Sequence, residues 1–232
     1  MTIEERLEEV QSRLCTAAAK AGKSPDEIIL LGATKTVDPG RIQEAANLGL
    51  RYIGENRVQE FTDKYGKVDD VHWHFIGHLQ TNKVKYIIDK AEMIHAADSA
   101  KLLDEIQRQA EKHVLSANVL IEVNASGEES KFGVTFDEVL PLIEENEKRS
   151  HVEICGLMTI GPHTRDEKSV RTAFSKMQKL YETLADKKFT HTRMQYLSMG
   201  MSGDYEVAIE EGANIVRVGS AIFGYRENGG KV

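Results

Sequence analysis

Residues 28–37 read IILLGATKTV. From Ile28 to Ala33 every residue but Gly32 is apolar, the composition of a short, buried strand. Lys35 then stands between two threonines. Immediately after, Asp38-Pro39 supplies a helix N-cap with proline at the first helical position, and Gly49 lies beyond the helix end. A strand, a charged turn and a helix make one unit.

The unit recurs along the chain. Further strand candidates are RYIGE from Arg51, HWHFIG from His72, EMIHAA from Glu92, NVLIEVN from Asn118, VEICGLMT from Val152, MQYLS from Met194 and NIVRVG from Asn214. Seven helical segments separate these eight strands. Ser99 precedes Leu102, Leu103, Ile106 and Ala110; Thr164 and Glu167 have capping-box spacing ahead of Val170, Phe174 and Met177. Pro141 predicts that the fifth of these helices starts later than Thr135 or is kinked. Ahead of the first strand, Ile3, Leu7, Val10 and Leu14 at helical spacing predict an extra N-terminal helix. Eight alternations of strand and helix predict an α/β protein with a parallel sheet closed into a single (β/α)8 TIM-type barrel over residues 1–232. The rival, an open doubly wound sheet, lacks its G-x-G-x-x-G after the first strand.

A net charge of -7 and a pI near 5.7 argue against nonspecific binding to nucleic acid or anionic lipid. The opening MTIEERLEEV has neither a basic n-region nor an apolar h-region, and no apolar run approaches the ~20 residues that span a bilayer. Cys15 and Cys155 form no disulfide framework. The expectation is a cytoplasmic protein with no nucleic-acid and no membrane partner.

In such a barrel the site lies at the C-terminal strand ends. In strand order these carry Lys35; Glu55 and Asn56; His74 and Gly77; Asp98; Asn124; Met158 and Thr159; Ser198; and Arg217 to Ser220. LSMGMSGD from Leu197 and VRVGSAIFG from Val216 place two Ser/Gly loops after strands 7 and 8, where barrels hold phosphate on backbone N–H groups and hydroxyls. Strand 1 neighbours strand 8 in a closed barrel, so Lys35 can reach a phosphorylated ligand held there. A lysine desolvated at the rim near Arg217 would lose its proton more readily and become nucleophilic. Lysine, phosphate grip and arginine together predict a carbonyl-bearing phosphate held as a Schiff base. Pyridoxal 5'-phosphate (PLP) fits. So does the sugar phosphate of a class I aldolase.

Seven stretches carry a resemblance over essentially the whole length: ATKTV around Lys35, IGENRVQE from Ile53, HFIGHLQTNK from His74, SKFG from Ser130, GLMTIGP from Gly156, LSMGMSGD and VRVGSAIFGYR. They resemble the pyridoxal phosphate homeostasis protein family, which is similar to the barrel domain of bacterial alanine racemases. The resemblance implies PLP bound covalently to Lys35, Arg217 facing the pyridine nitrogen, and Gly219, Ser220 and Ser202 on the phosphate. Ser198, Met199 and Asn56 would line the cofactor. An arginine opposite the ring nitrogen disfavours a pyridinium and weakens the electron sink. A racemase further needs a tyrosine from a second domain, and this sequence ends at Val232 soon after the eighth strand. The implied role is therefore PLP homeostasis without catalytic residues: buffering the cofactor and delivering it to PLP-dependent apo-enzymes, as a monomer with little or no turnover. The alternative is a PLP-dependent amino-acid racemase or another Schiff-base lysine enzyme.

His72, His74 and His78 invite a metal reading, since H-x-H puts two rings on one strand face. The further ligands are not evident at the other strand ends, so no metal is expected and His74 is assigned a hydrogen bond within the rim. HLQTNKVKYIIDK places Lys83, Lys85 and Lys90 on a predicted helix, either as a solvated face or as a docking surface for acidic partners.

Overall fold

The first strand is hydrogen-bonded on both edges. In the computed structural model, which describes residues 1–128, 131–164 and 166–224, β1 (Ile29–Ala33) pairs in parallel with both β2 (Tyr52–Glu55) and β8 (Ile215–Val218). Leu31 lies opposite Tyr52 on one side and Arg217 on the other. Between them run β3 (His72–Phe75), β4 (Met93–Ala97), β5 (Ala117–Glu122), β6 (Val152–Met158) and β7 (Thr192–Met201), in sequence order around a closed barrel. All eight predicted strands are present, and the barrel has no free edge.

Alternation along each strand divides the apolar residues into two cores. Leu31, Ile76, Met93, Leu120, Met158 and Ile215 fill the barrel interior. Ile53, Phe75, Val119, Leu157 and Leu197 face outward, where they pack against Ile42, Phe61, Leu103, Ile143 and Phe174. These belong to α2 (Pro39–Asn47), α3 (Val58–Lys64), α4 (Ala100–Lys112), α5 (Phe136–Asn146) and α6 (Glu167–Ala185). The extra N-terminal helix is α1 (Ile3–Lys20). It closes a capping box through Thr2 and Glu5 and packs on α7 (Tyr205–Glu210) and α8 (Ser220–Phe223). Arg13 pairs with Glu206, and Lys20 with Glu210 at 3.1 Å.

Three local expectations are corrected. The helix before β7 starts at Glu167 because Asp166 caps it, accepting from Lys168 and Ser169 N–H; Thr164 instead accepts from Asp166 N–H. The fifth predicted helix is not displaced by Pro141: it starts at Phe136 on a Thr135–Glu138 capping box and includes the proline. The segment bearing Lys83 and Lys85 is a 3-10 turn, Thr81–Tyr86, whose preceding Gln80 offers no side-chain cap. Gly156, at φ +147°, sits where β6 bulges against β7, and a Cβ there would stand 1.9 Å from Tyr196 O. No helix among the described residues is long and apolar enough to cross a membrane. Ser130, Tyr225 and Arg226 of the resembling stretches, and Val232, lie outside the described residues.

Candidate functional site

Lys35 occupies the turn that follows β1 and is exposed, not desolvated at the rim as the strand-end pattern suggests. Its neighbour Thr36 has φ +64°, a left-handed conformation unusual for a β-branched residue. The end of β1 lies against the loop after β8: a Cβ on Gly219 would stand 3.1 Å from Ala33 O. The turn that carries Lys35 thus begins beside the Ser/Gly loop, as barrel closure requires.

The two Ser/Gly loops are joined by one atom. The Ser202 hydroxyl, from the loop after β7, accepts from Gly219 N–H at 3.1 Å and Ala221 N–H at 3.3 Å. Two backbone donors at the start of α8 therefore converge on an oxygen position. Ser220 stands half-buried beside them, and nothing lies within 4 Å of a Cβ built on Gly203. This is a donor set suited to an oxyanion such as phosphate.

Beneath the rim, Arg217 is 4 % exposed and held at both terminal nitrogens. Nη1 donates to Ser198 Oγ at 2.7 Å and Nη2 to Thr159 O at 2.9 Å. Ser198 Oγ is also 3.1 Å from His95 Nδ1, and His95 Nε2 is 3.0 Å from His74 Nδ1. Burial lowers the Arg217 pKa to about 10, against the opposing influence of Glu122 and Asp204, which leaves it charged at neutral pH. Burial also pushes His74 down to about 3, with His72 adding to the effect, and His95 well below its ordinary value; both rings are neutral. Glu122, buried at the end of β5, is raised to about 7 by burial and by Asp98, with Arg217 opposing. His95 and Glu122 are absent from the sequence-based site. His95 shares strand parity with the interior Met93, the one signal that could have found it.

After β2, on the other side of β1 from β8, Asn56 Oδ1 is a buried acceptor without a partner among the described residues. Its backbone passes so close to β3 that a Cβ on Gly77 would stand 2.2 Å from Asn56 O. Of the predicted lining residues, Met199 packs its side chain in the outer core, and the Ser198 hydroxyl is engaged with Arg217 and His95. The histidines separate. His72 pairs with Glu92 at 2.6 Å, His78 with Asp98 at 3.3 Å, and His74 lies inside the barrel. No group of three or more ligand-type residues among those described could hold a metal ion.

Taken together the mouth offers an exposed amine, converging backbone donors, a buried cation and an orphaned acceptor. These fit a phosphorylated aromatic aldehyde of the PLP type: anion donors for its phosphate, and polar groups for its ring substituents.

Residues 31–227 match the family model of the alanine racemase N-terminal domain. A curated relative from Aquifex aeolicus, a pyridoxal phosphate homeostasis protein, is 47% identical over 225 residues, covering 96% of this chain and 98% of its own. The solved structure of PipY from Synechococcus elongatus, with PLP bound, is 28% identical at a TM-score of 0.83 and covers 96% of this chain and 100% of its own. Alanine racemase from Corynebacterium glutamicum shares the fold at 13% identity and a TM-score of 0.67, over 97% of this chain and 63% of that one.

Proposed function

We infer a role from one premise: the chain belongs to the pyridoxal phosphate homeostasis protein family. We propose that residues 1–232 form one PLP-binding domain that holds the cofactor as a Schiff base on Lys35, buffers its free level and passes it to apo-enzymes in the cytoplasm. The observation that carries the reading is the adjacency of the exposed Lys35 turn to the Ser202–Gly219–Ala221 donor cluster.

PLP, when bound, supplies an aldehyde that links to an amine and a ring that withdraws electrons. The chain's residues direct that chemistry. Gly219 and Ala221 N–H, which donate to Ser202 Oγ here, would turn to the phosphate together with the Ser202 and Ser220 hydroxyls. Asn56 Oδ1 accepts from a donor on the ligand. Met199 contributes through its backbone, its side chain being committed to the core. Ser198 steadies Arg217, the cation that would face the pyridine nitrogen. A cation fixed at both nitrogens yields no proton to the ring, and so favours holding the cofactor over carbanion chemistry. Exposure of Lys35 suits reversible loading.

The test is near-ultraviolet and visible absorption of the purified protein with PLP, before and after borohydride, with peptide mass mapping. The expected result is a violet-edge band, bleached by borohydride, with the pyridoxyl mass on Lys35. A colourless protein with Lys35 unmodified would overturn the reading. Sustained turnover of D- or L-alanine, lost on Lys35→Ala, would establish the alternative, a PLP-dependent racemase or other Schiff-base enzyme.

A further inference from the structure

The cofactor reading leaves one buried charge cluster unused, and it lies directly against the Lys35 turn. Lys64, at the end of α3, is 8% exposed. Its ammonium donates to Thr34 O at 2.9 Å, to Glu55 Oε1 at 2.8 Å and to Glu60 Oε2 at 3.2 Å. Glu55, fully buried on β2, also accepts from the Thr34 hydroxyl at 2.6 Å. Glu60 accepts from Thr36 N–H at 2.7 Å. The residues on either side of Lys35 are therefore tied to the same three side chains, Thr34 through its carbonyl and hydroxyl and Thr36 through its amide.

Two physical facts ask for a reason. Burying an ammonium and a carboxylate is a weak route to stability, because desolvation offsets most of their attraction. A threonine at φ +64° persists only where its surroundings over-determine it. Burial favours the neutral acid at Glu60, yet the Thr36 amide and Lys64 outweigh it and hold the carboxyl below its ordinary value. That charged form is the better acceptor for Thr36 N–H.

We propose that Glu60 and Lys64 are positioning residues for Lys35: they grip the backbone before and after it and fix the direction in which its side chain leaves the turn. This rests on the reading of Lys35 as the attachment point. When its neutral amine adds to the aldehyde carbon, water departs and one C=N bond replaces the C=O bond. Pre-setting the backbone removes the orientational cost of that addition.

The experiment compares Glu60→Ala, which removes the acceptor for Thr36 N–H on a partly exposed side chain, with Glu60→Gln, which keeps an acceptor oxygen. Two quantities are read: the rate at which PLP becomes borohydride-trappable on Lys35, and hydrogen exchange at the Thr36 amide in protein free of PLP. Glu60→Ala is expected to slow attachment about tenfold, the scale of a lost left-handed restraint, and to speed Thr36 exchange. Glu60→Gln is expected to recover most of both. Lys64→Met, with hydrogen exchange as its readout, should also free the Thr36 amide. If Glu60→Ala attaches PLP at the parental rate, or Glu60→Gln is as slow as Glu60→Ala, the positioning role falls while the Lys35 reading stands. If the parent protein attaches no PLP at Lys35, both fall together.

Discussion

Arg217 donates to Ser198 Oγ at 2.7 Å, and the same oxygen is 3.1 Å from His95 Nδ1. A guanidinium has no acceptor, so the serine accepts from it. The serine O–H can then donate to His95 Nδ1, and His95 Nε2–H to His74 Nδ1, with both imidazoles neutral. A serine that strand-end logic assigns to the cofactor is thus also a strut inside the barrel.

Ser198→Ala should leave Arg217 Nη1 a buried donor without its partner. The expected cost is about 1–3 kcal/mol in urea unfolding, with covalent loading of Lys35 retained. Unchanged stability together with lost loading would show instead that the serine serves the ligand.

The buried histidines predict acid sensitivity. Below the ordinary imidazole value of 6.5 the unfolded chain gains protons at these positions while the folded chain, with His74 at about 3, does not. Their contribution is fully present above that value and is lost as pH falls from 6.5 toward 3. Glu122, raised to about 7, works in the opposite direction, losing stability as pH rises from 4.5 toward 7; comparison with a variant cancels it. Across about pH 6 to 4, His95→Gln should lose stability less steeply than the parent, by about 1.4 kcal/mol per pH unit. Parallel curves would count against neutral, buried imidazoles.

Ser202→Ala tests the phosphate grip by comparing PLP with pyridoxal, which lacks the phosphate. Loss of the hydroxyl is expected to weaken PLP about tenfold or more, the scale of a hydrogen bond to a charged group, and to leave pyridoxal almost unaffected. Equal weakening of both would place the serine elsewhere.

Gly77→Ala should force β3 away from the Asn56 backbone, since no Cβ fits 2.2 Å from a carbonyl oxygen. A loss of about 1–3 kcal/mol is expected from such overpacking, accompanied by weaker PLP binding. Thermal unfolding and a PLP titration measure the two effects; a fully stable variant would mean the mouth yields there at no cost.

The eight strands were legible because short apolar runs alternate with helical spacing, and barrel closure then set the turn after β1 beside the loop after β8. The inner relay was not legible, because the inward face of EMIHAA is defined only once β4 has neighbours on both sides. Glu60 and Lys64 have the four-residue spacing of an ordinary surface ion pair. Nothing local says that Lys64 lies beneath a neighbouring turn. The cap at Asp166 and the 3-10 turn at Thr81–Tyr86 turned on competition between nearby hydrogen-bond acceptors, which residue types alone leave open.

The seam between β1 and β8 also governs how the chain can fold. It joins Ile29 to Ile215, a separation of 215 − 29 = 186 residues, and α1 rests more extensively on α7 and α8 than on α2, its neighbour in sequence. Contacts so distant along the chain form only after a large loss of loop entropy, which slows folding. During synthesis the first helix and strand must therefore wait, unpaired on one side, until β8 has left the ribosome. The eighth strand completes the first.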